Sequence, residues 1–261
     1  MHLWIDTFSY HNRLRGLPPR QKVLFAGIVL VLALVTRPII QIAIAIWMNV
    51  WVVKYAGIPS KIYGRMLSVA IVFWLTSIPA LLIAGVALSE QASIQADVLS
   101  GWSIGSYYFY LSQQGVLQAG LIFTRTIATV SCLYFLLLTT PFSEVLQVMR
   151  QMRCPEILTE LLLLMYRFIF ILLSTASEFW TAQHSRNGYR TQQRWFYSLS
   201  LLVSQLFRRT MENYQQFVLS TAARGFNGTF RVWSPQRYQT SQRYTIEASF
   251  GCFLLLLSLC F

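Results

Sequence analysis

From Val23 to Val53 the chain is almost wholly apolar for 31 residues, a run that as one helix would reach about 46 Å against a hydrocarbon core of about 30 Å. Thr36-Arg37-Pro38 interrupts it near the middle. Because proline lacks a backbone donor, the pattern predicts two short helices joined there, with one tilted, kinked helix as the alternative. Met66 to Leu88 is 23 residues without a charge and reads as a single span. Ala119 to Thr140 reads as a further span, with Arg125 inside its first third. Ile246 to Phe261 adds 16 largely apolar residues, enough to cross where tilted neighbours thin the bilayer. The pattern therefore predicts an all-α polytopic membrane protein with about five transmembrane helices.

The stretch between Phe142 and Thr245 has a different rhythm. Pro141-Phe142-Ser143 opens a short amphipathic helix with Val145, Leu146, Val148, Met149 and Met152 on one face and Gln147, Arg150, Gln151 and Arg153 on the other. Pro155 stops it. Glu156 to about Asn187 reads as one helix of some 45 Å. Along it, Glu160, Arg167, Ser174 and Glu178 form a polar stripe, and charges facing lipid are expensive, so this stripe should face protein or water. Glu160, Arg167 and Glu178 are assigned to structural ion pairing between helices, a substrate-conducting role being the alternative. A third amphipathic helix runs from about Phe207 to Ala223 and stops at Gly225, with Arg224 suited to the negative end of the helix dipole. These elements divide the chain into an N-terminal segment 1–22, transmembrane helices 23–141, a basic module 142–245 and a closing helix 246–261.

Composition agrees: 55% of residues are hydrophobic and 11% charged, too little charge to clothe a water-soluble globule. Lys plus Arg number 21 against 9 acids, and 12 arginines with five acids lie between Phe142 and Thr245. Positive charge on short loops marks the cytoplasmic side. Arg13, Arg15, Arg20 and Lys22 precede the first apolar run, while Lys54, Lys61 and Arg65 follow it. Placing both groups inside requires an even number of crossings between them, which favours the break at Pro38. The connection Ser89 to Gln118 holds Glu90 and Asp97 but no cation, so it belongs outside, with Trp102, Tyr107, Tyr108, Phe109 and Tyr110 resembling an interfacial belt. With the N-terminus cytoplasmic, five crossings put Phe261 outside. The first apolar run begins too late and runs too long for a cleaved signal peptide.

Candidate chemistry is sparse. Cys132, Cys154, Cys252 and Cys260 lack metal or redox spacing and read as packing residues. His11 and His184 are isolated, so no metal ligand is assigned, although His2 beside an N-terminal amine could hold a soft cation. No HExxH motif, paired-carboxylate motif, GxSxG elbow or Walker loop is read from the sequence. The arginines are spread over amphipathic helices without a recognised nucleic-acid-binding fold, so no nucleic-acid partner is expected.

Four stretches together resemble one family. They are Ile5-Asp6 with Ser9 to Lys22, including Arg13-Leu14-Arg15 and Leu17-Pro18-Pro19-Arg20; Leu138-Thr139-Thr140-Pro141-Phe142; Glu160 through Tyr166-Arg167; and Ala222-Ala223-Arg224-Gly225-Phe226. In this order they are similar to the T component of energy-coupling factor transporters, in particular the CbiQ-type subunit of cobalt and nickel importers. The family's Ala-Arg-Gly signature is matched by Ala223-Arg224-Gly225. Its other copy is resembled by Ser185-Arg186-Asn187, which keeps the arginine and replaces the flanking alanine and glycine.

The resemblance implies three cytoplasmic-side coupling helices and docking of Ser185, Arg186, Asn187, Ala223, Arg224 and Gly225 on two CbiO-like ABC-type ATPase subunits. Closure of the ATPases would move the two arginine ends together. It further implies a CbiM-like substrate-binding membrane subunit, with or without a small CbiN-like accessory, and contact with membrane lipid. No cofactor is bound by this chain, ATP and magnesium being used by the partners; the chain is not itself an enzyme and sits in a bacterial or archaeal plasma (inner) membrane. A T component serving vitamin uptake and a polytopic membrane enzyme are the alternatives.

Overall fold

The computed structural model describes residues 4–87, 98–104, 107–225, 238 and 241–260. His2, Glu90, Asp97, Phe226 and Phe261 lie outside the described residues. Two compact units are present, one formed by 4–141 with 237–261, the other by 142–236.

In the first unit, α1 (Trp4–His11) and a 3-10 turn (Arg13–Gly16) lead into α2 (Pro19–Val35), α3 (Pro38–Val50), a π-helical turn (Trp51–Tyr55) and α4 (Ser60–Leu82). A small antiparallel sheet follows, β1 (Ile83–Ala87), β2 (Val98–Ile104) and β3 (Tyr107–Ser112), in the order β1-β3-β2. Then come α5 (Gln113–Thr139) and, after the second unit, α9 (Gln242–Cys260). Prolines set the boundaries: Pro19 and Pro38 occupy the first helical position of α2 and α3, where a missing N–H costs nothing. The apolar run at Val23–Val53 is thus two helices broken at Thr36-Arg37. Pro79 lies inside α4, and the helix ends one turn later at Leu82. The span expected to reach Leu88 therefore stops early, and Ile83–Ala87 pairs with β3 instead, Gly85 opposite Phe109. Apart from this small sheet the fold is α-helical.

Helices α3 and α5 meet α2 around an aromatic cluster. Phe25 lies 5.3 Å from Trp47, 5.1 Å from Trp51 and 5.6 Å from Phe135, and Tyr244 of α9 reaches Trp51 at 6.3 Å. Lipid tails are as apolar as these rings, so close packing rather than exclusion of water holds the helices together. Small residues permit it: Gly115, Ala119, Ala128, Ser131 and Cys132 form much of the buried face of α5. A Cβ on Gly115 would sit 2.5 Å from the Leu81 carbonyl oxygen.

Broken helices leave carbonyls without partners. Gln41, 2% exposed, donates from Nε2 to the carbonyls of Ala33 and Thr36, both at 3.0 Å, while its Oε1 accepts from Thr124 Oγ1 at 2.8 Å. One side chain thereby fixes the α2–α3 break against α5. At the end of α5, Lys22, 3% exposed, donates to the Thr139 carbonyl at 3.0 Å, and Asn12 Nδ2 reaches the carbonyls of Leu138 and Thr139 at 3.3 and 3.2 Å. A cation suits that negative helix end.

The second unit contains α6 (Phe142–Gln151), α7 (Glu156–Ser185) and α8 (Gln192–Ala223). Thus α8 begins well before Phe207, where the sequence pattern put its start. Among the described residues four segments are long and apolar enough to cross a membrane: Pro38–Tyr55, Ser60–Leu82, Gln113–Thr139 and Glu156–Ser185. The set includes α7 and leaves out α2, whose 17 residues span about 26 Å, and α9.

Replacing Gln41 by leucine removes all three of its hydrogen bonds and should destabilise the detergent-solubilised protein by about 2 kcal/mol or more. Thr124→Val, which removes one of them, should cost less than half as much. Thermal unfolding midpoints decide it, and a Gln41→Leu protein as stable as the wild type would contradict this assignment.

Candidate functional site

Both arginines singled out by the sequence stand at the C-cap of a long helix, in nearly the same backbone state. Arg186 closes α7 at φ −92°, ψ 14°, and Arg224 closes α8 at φ −91°, ψ 9°. In each case the next residue is left-handed, Asn187 at φ 55° and Gly225 at φ 70°. That conformation belongs to glycine, with asparagine the usual substitute because its short polar side chain tolerates it. The exchange of glycine for Asn187 therefore keeps the turn.

At α7 the turn is a complete Schellman motif. Gly188 N–H donates to the Gln183 carbonyl at 2.9 Å and Asn187 N–H to that of His184 at 3.1 Å. At α8 the corresponding bond runs from Gly225 N–H to the Ala222 carbonyl at 3.0 Å. Satisfying the last carbonyls within the turn leaves the side chains free to project, and Ser185, Arg186, Asn187, Ala223, Arg224 and Gly225 are all exposed.

Three residues that the sequence did not single out anchor the first turn. Ser198 of α8, 2% exposed, donates to the Gly188 carbonyl at 2.9 Å. A Cβ on Gly188 would lie 2.6 Å from Ser198 Oγ, so this position needs glycine for close approach. Tyr189 folds back to stack on Trp180 with centroids 4.3 Å apart. Only the Asn-Gly sequence hinted at a turn there.

The contacts between α7 and α8 have a constant register. Gly188 meets Ser198, Thr175, Glu178 and Phe179 line one cavity with Gln205, Arg208, Arg209 and Glu212, and Phe168 meets Phe217 at 6.1 Å. The two helices are therefore an antiparallel hairpin, with Arg186 at its turn and Arg224 at the far end of α8. Counting along that register puts the two roughly 35 Å apart. Because α8 has no glycine or proline between Gln192 and Ala223, one uninterrupted helix links the two arginine ends.

The polar stripe of α7 is divided among different neighbours. Glu160 shares a cavity of about 80 Å³ with Ser143, Gln147 and Arg150 of α6. Arg167 lies over the Phe217 ring, 5.2 Å from its centroid, a cation–π contact. Glu178 lies in the cavity with Arg208 and Arg209, of which Arg208 meets Glu212 at 3.2 Å and Arg209 at 3.5 Å. His184 lies 6.5 Å from the Tyr189 ring.

Among the described residues no group of three His, Cys, Asp or Glu is placed to hold a metal. Gly101-Trp102-Ser103-Ile104-Gly105 does have the glycine-x-serine-x-glycine spacing, contrary to the reading of the sequence above. Residues 101–104 run within strand β2, with Ser103 paired to Tyr108 of β3. A nucleophile elbow requires a sharp strand-to-helix turn at the serine, so this is not one.

Apolar helices long enough to cross a bilayer, joined to an amphipathic module with arginine-capped helix ends, define a multi-pass α-helical membrane protein. Its residues 11–234 match the CbiQ family, described as cobalt transport protein, and the chain belongs to that family. It is 27% identical over 231 residues to the cobalt transport protein CbiQ of Salmonella typhimurium, covering 87% of this chain and 99% of that one. Identity to the CbiQ of Rhodobacter capsulatus is 30% over 232 residues, 88% of this chain and 87% of the other. A protein of Methanocorpusculum labreanum named as a fused cobalt transport protein CbiMQ is 29% identical over 225 residues, and the chain spans 36% of its length.

Asn187→Val forces a β-branched residue into the left-handed region at a cost of about 1–2 kcal/mol, which should speed amide exchange at Asn187 and Gly188 by about fivefold to thirtyfold. Asn187→Gly should leave it unchanged or slower. Hydrogen exchange of peptides covering 183–190 reads this, and equal rates in all three proteins would remove the special status of the turn.

Proposed function

We propose that this chain is the energy-coupling membrane subunit of an ATP-driven importer of cobalt ions, passing conformational change from two ATPase subunits to a substrate-binding membrane subunit. The observation that carries the reading is the pair of arginine C-caps: the same backbone state occurs twice, at opposite ends of one hairpin, each with its side chain exposed. Two equivalent knobs roughly 35 Å apart suit two copies of one partner.

Arginine fits the role physically. Its guanidinium stays charged on burial and makes planar, multidentate hydrogen bonds, so it locks a helix end into an acidic or carbonyl-lined groove. The Schellman turn at Arg186 and the left-handed turn at Arg224 hold each arginine at a fixed exit angle, which makes docking directional. Because Arg224 caps the uninterrupted α8 and Ser198 ties the turn that carries Arg186 to that same helix, the hairpin transmits motion as a strut. Closure of the ATPases then tilts the hairpin; drawing its ends together would require the Ser198–Gly188 contact to break.

The partners follow from the same reading. ATP and magnesium are handled by CbiO-like ATPases, since this chain has no phosphate-binding loop. The name of the fused relative joins CbiM to CbiQ, which supports a CbiM-like subunit as the membrane partner. The cation-rich segments Asn12–Lys22 and Lys54–Arg65 face the cytoplasm of a plasma membrane, with the N-terminus inside.

Tagged protein purified in mild detergent should bring two ATPase chains with it. Arg186→Glu and Arg224→Glu, both on exposed positions, should each reduce ATPase recovery by about tenfold or more while leaving the yield of the membrane subunits unchanged. ATP-dependent uptake of radioactive cobalt into proteoliposomes should fall in parallel. Full recovery and uptake in the double variant would sink the coupling role.

A further inference from the structure

The hairpin turn carries more than a docking arginine. Arg186, Arg190 and Arg194 lie at this tip with no acid among residues 179–211, while Arg208 and Arg209 further along α8 pair with Glu212. Large aromatic side chains cluster at the same tip and stand in solvent: Trp180 is 48% exposed, Trp195 39%, Phe196 66% and Tyr197 67%. Arg190 and Arg194 are exposed beside them. Trp195 and Phe196 meet edge to face at 4.9 Å, and Tyr189 stacks under Trp180, so the rings are presented by a fixed frame.

The directions of these rings indicate the occupant. Consecutive helical residues point about 100° apart, so Trp195, Phe196 and Tyr197 wrap about 200° of α8, and Trp180 adds the α7 side. A groove in a single protein partner covers one side of a helix end. A headgroup layer meets several sides of a tip that lies against it and leaves the Arg186 side open, and the combination of amphipathic aromatic rings with flanking arginines is what that layer selects. The charges of Arg190 and Arg194 complement lipids of net negative charge, each cation near such a surface adding appreciably to binding.

We propose that the α7–α8 tip is an anchoring site for anionic phospholipid headgroups, bound by Arg190 and Arg194 with Trp180, Trp195, Phe196 and Tyr197 seated at the interface. The anchor gives the strut a fulcrum at the membrane surface. It uses residues other than Arg186 and stands independently of ATPase docking.

The full chain, reconstituted in nanodiscs of phosphatidylcholine with or without phosphatidylglycerol, tests this by hydrogen exchange of peptides covering 186–198. Phosphatidylglycerol should slow exchange there by about tenfold, and raising the salt to about 0.5 M should largely reverse the effect. Arg190→Gln with Arg194→Gln should abolish the lipid-dependent slowing, leave exchange in α5 unchanged and retain ATPase recovery, which separates this site from the docking arginines. Equal exchange in the two lipid compositions, slowing that persists in the double variant, or protection that arises only when ATPase subunits are added would each overturn the proposal.

Discussion

A helix that ends inside an apolar protein leaves its last carbonyls without donors, and no water is at hand to supply them. In this chain that constraint is met at two breaks of the first unit. Gln41 answers it between α2 and α3, and Lys22 with Asn12 answers it at the end of α5. Lys22 is the costliest solution, an ammonium only 3% exposed, and it is stable there because it faces the negative end of a helix through a hydrogen bond of 3.0 Å. The arginine turns are exposed and satisfy their last carbonyls within the backbone, through a left-handed residue. The guanidinium is thereby released for outside contacts instead of being spent on capping its own helix.

From this follows a division of labour along the chain. In the first unit, α2 and α3, separated at Pro38, pack with the longer α5 through small residues and an aromatic cluster, and long-range side-chain caps fix the α2–α3 break and the end of α5. The second unit has long, uninterrupted helices whose ends are fixed locally, with polar and aromatic side chains left exposed.

Much of this was legible in the sequence because its determinants are local. Pro38 marks the α2–α3 break, Pro141 and Pro155 mark the starts of α6 and α7, and Gly225 marks the end of α8. Family resemblance pointed to the arginines. Other features depend on contacts that no local pattern reports. Lys22 and Thr139 are 117 residues apart, and Ser198 acts on a turn ten residues earlier only because α8 folds back on α7. The strand Ile83–Ala87 is a short apolar run whose periodicity does not separate strand from helix, so it was absorbed into the preceding span. The early start of α8 was missed because Trp195, Phe196 and Tyr197 are apolar on several faces at once and blur the helical period. Asn187 looked like a departure from the family signature, and only its positive φ shows that it keeps the geometry.

The proposed coupling depends on one rigid hairpin that holds both arginine ends while the partner subunits move around it. Spin labels placed beside them, at Ser185 and Ala223 in the assembled complex, would measure their separation by pulsed electron resonance. A rigid hairpin gives a narrow distribution at roughly 35 Å, broadened by about the reach of the labels, that stays in place when ATP is added. A separation that shortens by about 10 Å or more on ATP binding would show that the ends are drawn together and the hairpin does not act as a strut.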